Sequence, residues 1–140
     1  MSDVPLYPIG RVRSPYNAEH RPPPQGPEHE VESVIELDPR WQQGLEGLTA
    51  GGHLWVLCHF DQAGPPKLKV HPRGDHSRPQ TGMFNSRSPH RPNPISLTLV
   101  KLLKIEGCRL TVQGLEMMDG TPVLDIKPYV PGIDQPQERS

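Results

Sequence analysis

The chain of 140 residues carries 19 prolines, 13 glycines and only 5% aromatic residues. That length gives room for one core and excludes a large nucleotide-binding α/β methyltransferase domain joined to a substrate domain, while the composition favours short strands and long ordered loops over helices. A net charge of −1 excludes a global attraction to nucleic acid, so any such attraction must come from local clustering.

The two cysteines, Cys58 and Cys108, form no C-x-x-C pair and read as free thiols in a reducing compartment. No apolar run approaches the length that crosses a membrane, and Met1-Ser2-Asp3 lacks the basic-then-apolar start of a signal peptide. These features predict a cytoplasmic protein with one domain over residues 1–140, no C-terminal accessory domain and no membrane association. Large core residues are scarce, which predicts an oligomer that gains burial from a partner.

In chain order, residues 19–28 hold a triple proline and read as a surface loop. Glu30 to Leu37 alternates, with Val31, Ser33, Ile35 and Leu37 on one face and Glu30, Glu32, Val34 and Glu36 on the other. One short helix follows, with Asp38 as N-cap, Pro39 at the first helical position, and Trp41, Leu45 and Leu48 at helical spacing. His53 to Asp61 reads as a central strand that is apolar on both faces, Leu54, Val56, Cys58 and Phe60 against His53, Trp55, Leu57 and His59, so both faces should be covered. Residues 64–81 read as a polar surface loop. Strands are predicted from Ile95 to Ile105, where Ile95, Leu97 and Leu99 alternate with Ser96, Thr98 and Val100, then over 109–113 and 123–129. Gly107 and Asp119-Gly120 supply the turns, and residues 135–140 read as a flexible tail. Strands at close intervals with little helix predict an all-β fold, a small single-domain β-barrel with one short helix and long ordered loops.

Between residues 82 and 95 the chain sets Arg87, Arg91, Asn93 and three prolines on one loop. Each proline fixes its own φ and biases the residue before it, here Ser88, Arg91 and Asn93, away from helix. A preorganised loop of this kind is a binding surface, and the arginine fork suits carboxylate or phosphate. His71, Arg73, His76, Arg78, Arg87, His90 and Arg91 make a local basic patch, and Arg73, Arg78 and His90 are its candidates for an RNA backbone. The spacings of His71, His76 and His90 match no familiar zinc pattern, so no metal is predicted. Asp125, Lys127 and Tyr129 lie at alternate positions and share one strand face; an Asp–Lys pair that only stabilises the barrel is the plain structural alternative. The usual glycine fingerprint of nucleotide-binding folds is absent.

The loop Arg87-Ser88-Pro89-His90-Arg91-Pro92-Asn93-Pro94, paired with the run from Asp119 through Thr121, Asp125 and Lys127 to Pro131, closely resembles the TrmO family, also called TsaA-like or YaeB-like proteins. Weaker likeness extends over Tyr7 to Tyr16 and over Gly47 to Leu57. The resemblance implies a β-barrel methyltransferase that uses S-adenosyl-L-methionine, methylates N6-threonylcarbamoyladenosine beside the tRNA anticodon, and works as a homodimer with the cofactor pocket near the interface. It implies cofactor contacts from Met83, Phe84, Arg87, Ser88, Arg91, Asn93, Leu115, Asp119, Thr121, Asp125 and Lys127. Met83, Phe84 and Leu115 would pack on the adenine, Lys127 would meet the methionine carboxylate, and Asp125 would meet the ammonium or the ribose. His53 and Tyr129 are candidates for help in activating the acceptor. A small-molecule acceptor on the same fold, or a binding module without catalysis, are the alternative functions. The family pattern has Ala, Gly and Ser where this chain has Asn85, Ser96 and Gly52.

Overall fold

In the computed structural model, which describes residues 2–22 and 31–136, the alternating segments close into a six-stranded antiparallel barrel. Its strands are β1 (Gly10–Arg13), β2 (Glu32–Leu37), β3 (His53–His59), β6 (Ile95–Glu106), β7 (Arg109–Gln113) and β8 (Pro122–Pro128), and the order around the barrel is β1-β2-β7-β6-β3-β8. A separate two-stranded ladder, β4 (Lys69–Val70) with β5 (Thr81–Gly82), organises a segment whose polar sequence reads only as loop. The β8–β1 pair closes the order on itself, so each barrel strand has a neighbour on both sides.

The interior belongs to one phase of each strand. Val12, Ile35, Leu54, Val56, Cys58, Val100, Leu102, Leu110, Val112 and Val123 meet there, with Leu115 and Met117 closing one end. Each fully buried aliphatic side chain contributes about 1.5–3 kcal/mol relative to exposure. Gly10 stands opposite Leu37 in the β1–β2 pair, and a Cβ there would run into the carbonyl oxygen of Glu36. In β6 the inward phase is Ser96, Thr98, Val100 and Leu102, whereas Ile95, Leu97 and Leu99 face outward. Ser96 is tolerated inside because its hydroxyl accepts from Cys58 N at 3.2 Å and donates to Cys58 O at 3.4 Å.

The helix expected after Asp38 is a 3-10 helix over Pro39–Leu45, with the Asp38 carboxylate accepting from Arg40 N. A four-residue α-helix, α1 (Pro131–Asp134), follows β8. The two-residue link from β6 to β7 has Gly107 at φ 61, as a hairpin with glycine first requires. Most of the proline-rich segment, residues 23–30, and residues 137–140 of the expected tail lie outside the described residues. No helix of the described residues is long and apolar enough to cross a membrane.

Candidate functional site

Three segments converge at the end of the barrel where β3 finishes: Phe60–Gly64, Ser86–Arg91 and Glu116–Thr121. The last is fixed from several sides. Ser33, buried in β2, donates its hydroxyl to Leu115 O at 3.0 Å, and Ser14 donates to Met117 O at 2.5 Å. Ser14 N binds the Asp119 carboxylate at 3.1 Å, Asp119 N binds Tyr16 O at 2.8 Å, and Gly120 N binds Val12 O at 2.7 Å. Gly120 has φ 86, the left-handed conformation that the turn needs. Thr121 turns its hydroxyl onto Met118 O at 2.7 Å.

The proline-stiffened loop is held by its own arginine. Arg91 donates from one guanidinium nitrogen to Ser86 O at 2.9 Å and Ser88 O at 3.0 Å, so its first task is to clamp the loop. Arg87, by contrast, makes no hydrogen bond or ion pair with a described residue, and it borders two cavities. The Ser88 hydroxyl accepts from His90 N. The His90 ring sits over Gly64, and its Nδ1 is buried with no hydrogen-bond partner among the described residues.

Two of the cavities between these segments adjoin and share Phe60, Pro89, Glu116 and Met117. Among the described residues, the first, about 480 Å³, is bordered by the carboxylates Asp61, Glu116 and Asp119 and by the guanidinium of Arg21. The second, about 650 Å³, carries Arg73, Arg78 and Arg87, with Glu116 as the carboxylate among its described lining residues. Both are in the size range of small-molecule sites. Glu116 is only 3% exposed. Burial, and then the Glu116 charge, pushes the Tyr16 phenol above its ordinary pKa of 10.0.

The structure thus gathers Arg87, Ser88, His90, Asp119 and Thr121 at one place, with Arg73 and Arg78 on its basic rim and Arg91 beside it. Other sequence-predicted residues lie elsewhere. Leu115 is fully buried in the core, Met83 is 5% exposed, and Phe84 is 79% exposed; none of the three borders these cavities, where Phe60 supplies the aromatic wall. Asn93 is exposed, and its carbonyl accepts from Ile95 N. Asp125 and Lys127 pair with Leu57 and Trp55 of β3 on the outside of the barrel and form an ion pair with each other at 3.4 Å. His53 and Tyr129 pack edge to face at 6.4 Å at the opposite end of β3, roughly 20 Å from His59 at the usual strand rise. Among the described residues no three His, Cys, Asp or Glu side chains converge as metal ligands, although His71 and His76 pack at 4.2 Å.

Sequence reasoning missed Phe60, Asp61 and Glu116 as site residues. The legible signal was Glu116, a charge set between Leu115 and Met117 in an apolar run. The acidic cavity fits a cationic nucleoside: an aromatic wall, carboxylates and the orphaned His90 Nδ1 are the groups such a ligand engages.

Residues 11–135 match the tRNA-methyltransferase O N-terminal domain. A probable S-adenosyl-L-methionine-binding protein of Archaeoglobus fulgidus is 43% identical over 131 residues, which are 94% of this chain and 35% of that protein. The tRNA (adenine(37)-N6)-methyltransferase of Mus musculus is 48% identical over 101 residues, 71% of this chain and 23% of its own. The crystal structure of TrmO from Pseudomonas aeruginosa superposes with a TM-score of 0.77 at 35% identity, covering 99% of this chain and 62% of that one. This chain therefore spans about a third or less of those two relatives and under two thirds of the solved chain. The barrel, the loop at its mouth and the matched span agree, and the chain belongs to the tRNA-methyltransferase O N-terminal domain family.

Proposed function

We propose that this chain is an S-adenosyl-L-methionine-dependent tRNA methyltransferase acting on N6 of N6-threonylcarbamoyladenosine beside the anticodon. The observation that carries the reading is the cavity at the barrel mouth, whose described lining sets three carboxylates and Phe60 against the guanidinium of Arg21, in a family whose members include a tRNA (adenine(37)-N6)-methyltransferase. S-adenosyl-L-methionine supplies a methyl group on a sulfonium: the S–CH3 bond breaks with its electron pair left on sulfur, an N–CH3 bond forms at N6, and the N6 proton passes to solvent. Asp61, Glu116 and Asp119 favour the cationic donor, and Phe60 offers a π-face to it. The acceptor N–H is acidified by its carbamoyl neighbour, so positioning carries most of the rate. His53, at the far end of β3, and Tyr129, packed against it just after β8, lie too far from the cavities of their own subunit to serve them.

The same reading includes a homodimer. Trp55, Leu57, Leu97 and Leu99 form an apolar strip on the outside of β3 and β6, and Leu97 also borders the small cavity beside Arg87 and Arg91. A second copy on that strip would cover it and stand next to the cofactor site.

The test is incubation with methyl-labelled S-adenosyl-L-methionine and tRNA from cells lacking this methylation, followed by nucleoside mass analysis. Labelled methyl on threonylcarbamoyladenosine is the expected result. Cofactor binding without transfer to any tRNA would end the tRNA reading.

A further inference from the structure

We infer that the basic cavity is an oxyanion chamber for the acceptor, holding a carboxylate or a phosphodiester, while the adjoining acidic cavity holds the methyl donor; this rests on the methyl-transfer reading above. Two chambers whose described linings are mostly acidic in one and mostly basic in the other share a wall that includes Phe60, Pro89, Glu116 and Met117. A donor with net positive charge is favoured in the one, and an anion is favoured in the other. The shared wall is where the two ligands would meet, which is the geometry a direct group transfer requires.

The basic chamber is built on a shaped loop. His71 Nδ1–H donates to Arg78 O at 2.9 Å, which ties the two ends of the loop together. Within it Gly74 N binds His71 O at 2.9 Å and Asp75 N binds Pro72 O at 3.0 Å. Arg73 sits at φ 55, the one positive φ among the described non-glycine residues. A left-handed arginine is a strained backbone conformation, and such strain persists where the surrounding hydrogen bonds fix the turn. Arg87 enters from the other side with all its donors free of described partners. The guanidinium groups of Arg78 and Arg87, which reach one cavity from two loops, match the bidentate acceptors of a carboxylate or a phosphodiester.

The experiment uses the full chain saturated with S-adenosylhomocysteine, the neutral-sulfur product. N-carbamoyl-threonine, the carboxylate source, and dimethyl phosphate, the phosphodiester source, are titrated separately while arginine side-chain N–H signals are followed by NMR. At least one probe should saturate, and the double variant Arg73→Gln/Arg78→Gln should weaken it about tenfold with S-adenosylhomocysteine affinity changed less than about twofold. The probe that saturates identifies the source of the anion. The chamber assignment is overturned if neither probe saturates in the native protein, if the double variant binds the probe as well as native protein does, or if it loses S-adenosylhomocysteine as much as probe. Saturation by a probe together with no methyl transfer to any tRNA would leave the anion site standing and remove the methyl-transfer reading.

Discussion

Trp55 stands opposite Leu99 in the β3–β6 ladder with both side chains outside the barrel, and Leu57 stands opposite Leu97 two residues further along. Four large apolar side chains side by side on an outer sheet face mark an interaction surface. Leu97 is 40% exposed in the single chain, so Leu97→Lys should leave the barrel folded while burying a charge in any dimer that uses this face. Sedimentation at micromolar concentration should show the native protein as a dimer and the variant as a monomer with an unchanged circular dichroism spectrum. A variant that stays dimeric would exclude this face as the interface.

Buried Cys58 makes stability depend on alkaline pH. Burial pushes its thiol from the ordinary 9.0 up to about 12, so the folded state keeps a proton that the unfolded chain loses. The unfolded state binds fewer protons above pH 9.0, and stability falls as pH rises between the two values, by about 1.4 kcal/mol per pH unit at full slope. Urea denaturation between about pH 9 and pH 10, below the raised titration of Tyr16, should show this slope in the native protein and its loss in Cys58→Ala. The same burial predicts that a thiol reagent labels Cys108 and spares Cys58 until the protein unfolds.

The barrel interior was legible where one phase of a strand is clearly apolar, as in Ile35 and Leu37 of β2 or Leu54, Val56 and Cys58 of β3. It was not legible in β6, where Ile95, Leu97 and Leu99 look like the core phase and are the outer one. Ser96 can face inward because the Cys58 backbone satisfies its hydroxyl, a partner no periodicity reveals. In β8 the register shifts opposite Leu57 and Cys58, so that Val123 and Ile126 face the core while Asp125 faces out. The shared face of Asp125, Lys127 and Tyr129 was thus readable, but not that it is the outer face. For the site, Arg87, Ser88, His90, Asp119 and Thr121, named by the basic patch and by the family resemblance, line cavities at the barrel mouth. Phe60, Asp61 and Glu116 come from separate segments that meet only when the barrel closes. The departures at Asn85 and Ser96 have local partners, Asn85 Nδ2 donating to Thr81 Oγ1 at 3.0 Å and Ser96 bridging to Cys58.

Arg91 is a positioning residue for the loop that carries Arg87. Removing its two bonds to Ser86 O and Ser88 O should free the loop, so Arg91→Ala is expected to raise backbone hydrogen exchange over residues 86–91 while the barrel strands stay protected. Arg91→Lys keeps several donors on one nitrogen but on a shorter side chain, and should restore only part of that protection.

Asp61 borders the acidic cavity from an exposed position, and its side chain has no described partner to lose. Asp61→Asn should therefore act through charge alone, lowering S-adenosyl-L-methionine affinity about two- to fivefold, the size of an exposed charge pair. S-adenosylhomocysteine, which lacks the sulfonium charge, should lose less, and the difference should shrink as salt is raised. Calorimetry with both ligands at low and high salt checks this; equal losses for the two would place Asp61 away from the sulfur.

Gly10 has no room for any side chain, because a Cβ would meet the Glu36 carbonyl oxygen and crowd Leu37 Cα at 3.0 Å, both of them backbone. Gly10→Ala can be relieved only by prising β1 from β2, and β1 also carries the contacts that seat the cavity turn, Val12 O to Gly120 N and Ser14 to Met117 O. The variant should lose about 1–3 kcal/mol of stability, as overpacking usually costs, and should weaken S-adenosyl-L-methionine binding as well. Gly82→Ala, where nothing lies within 4 Å of the added carbon, should change neither, so the pair of melting curves separates steric crowding in the barrel from a general intolerance of alanine.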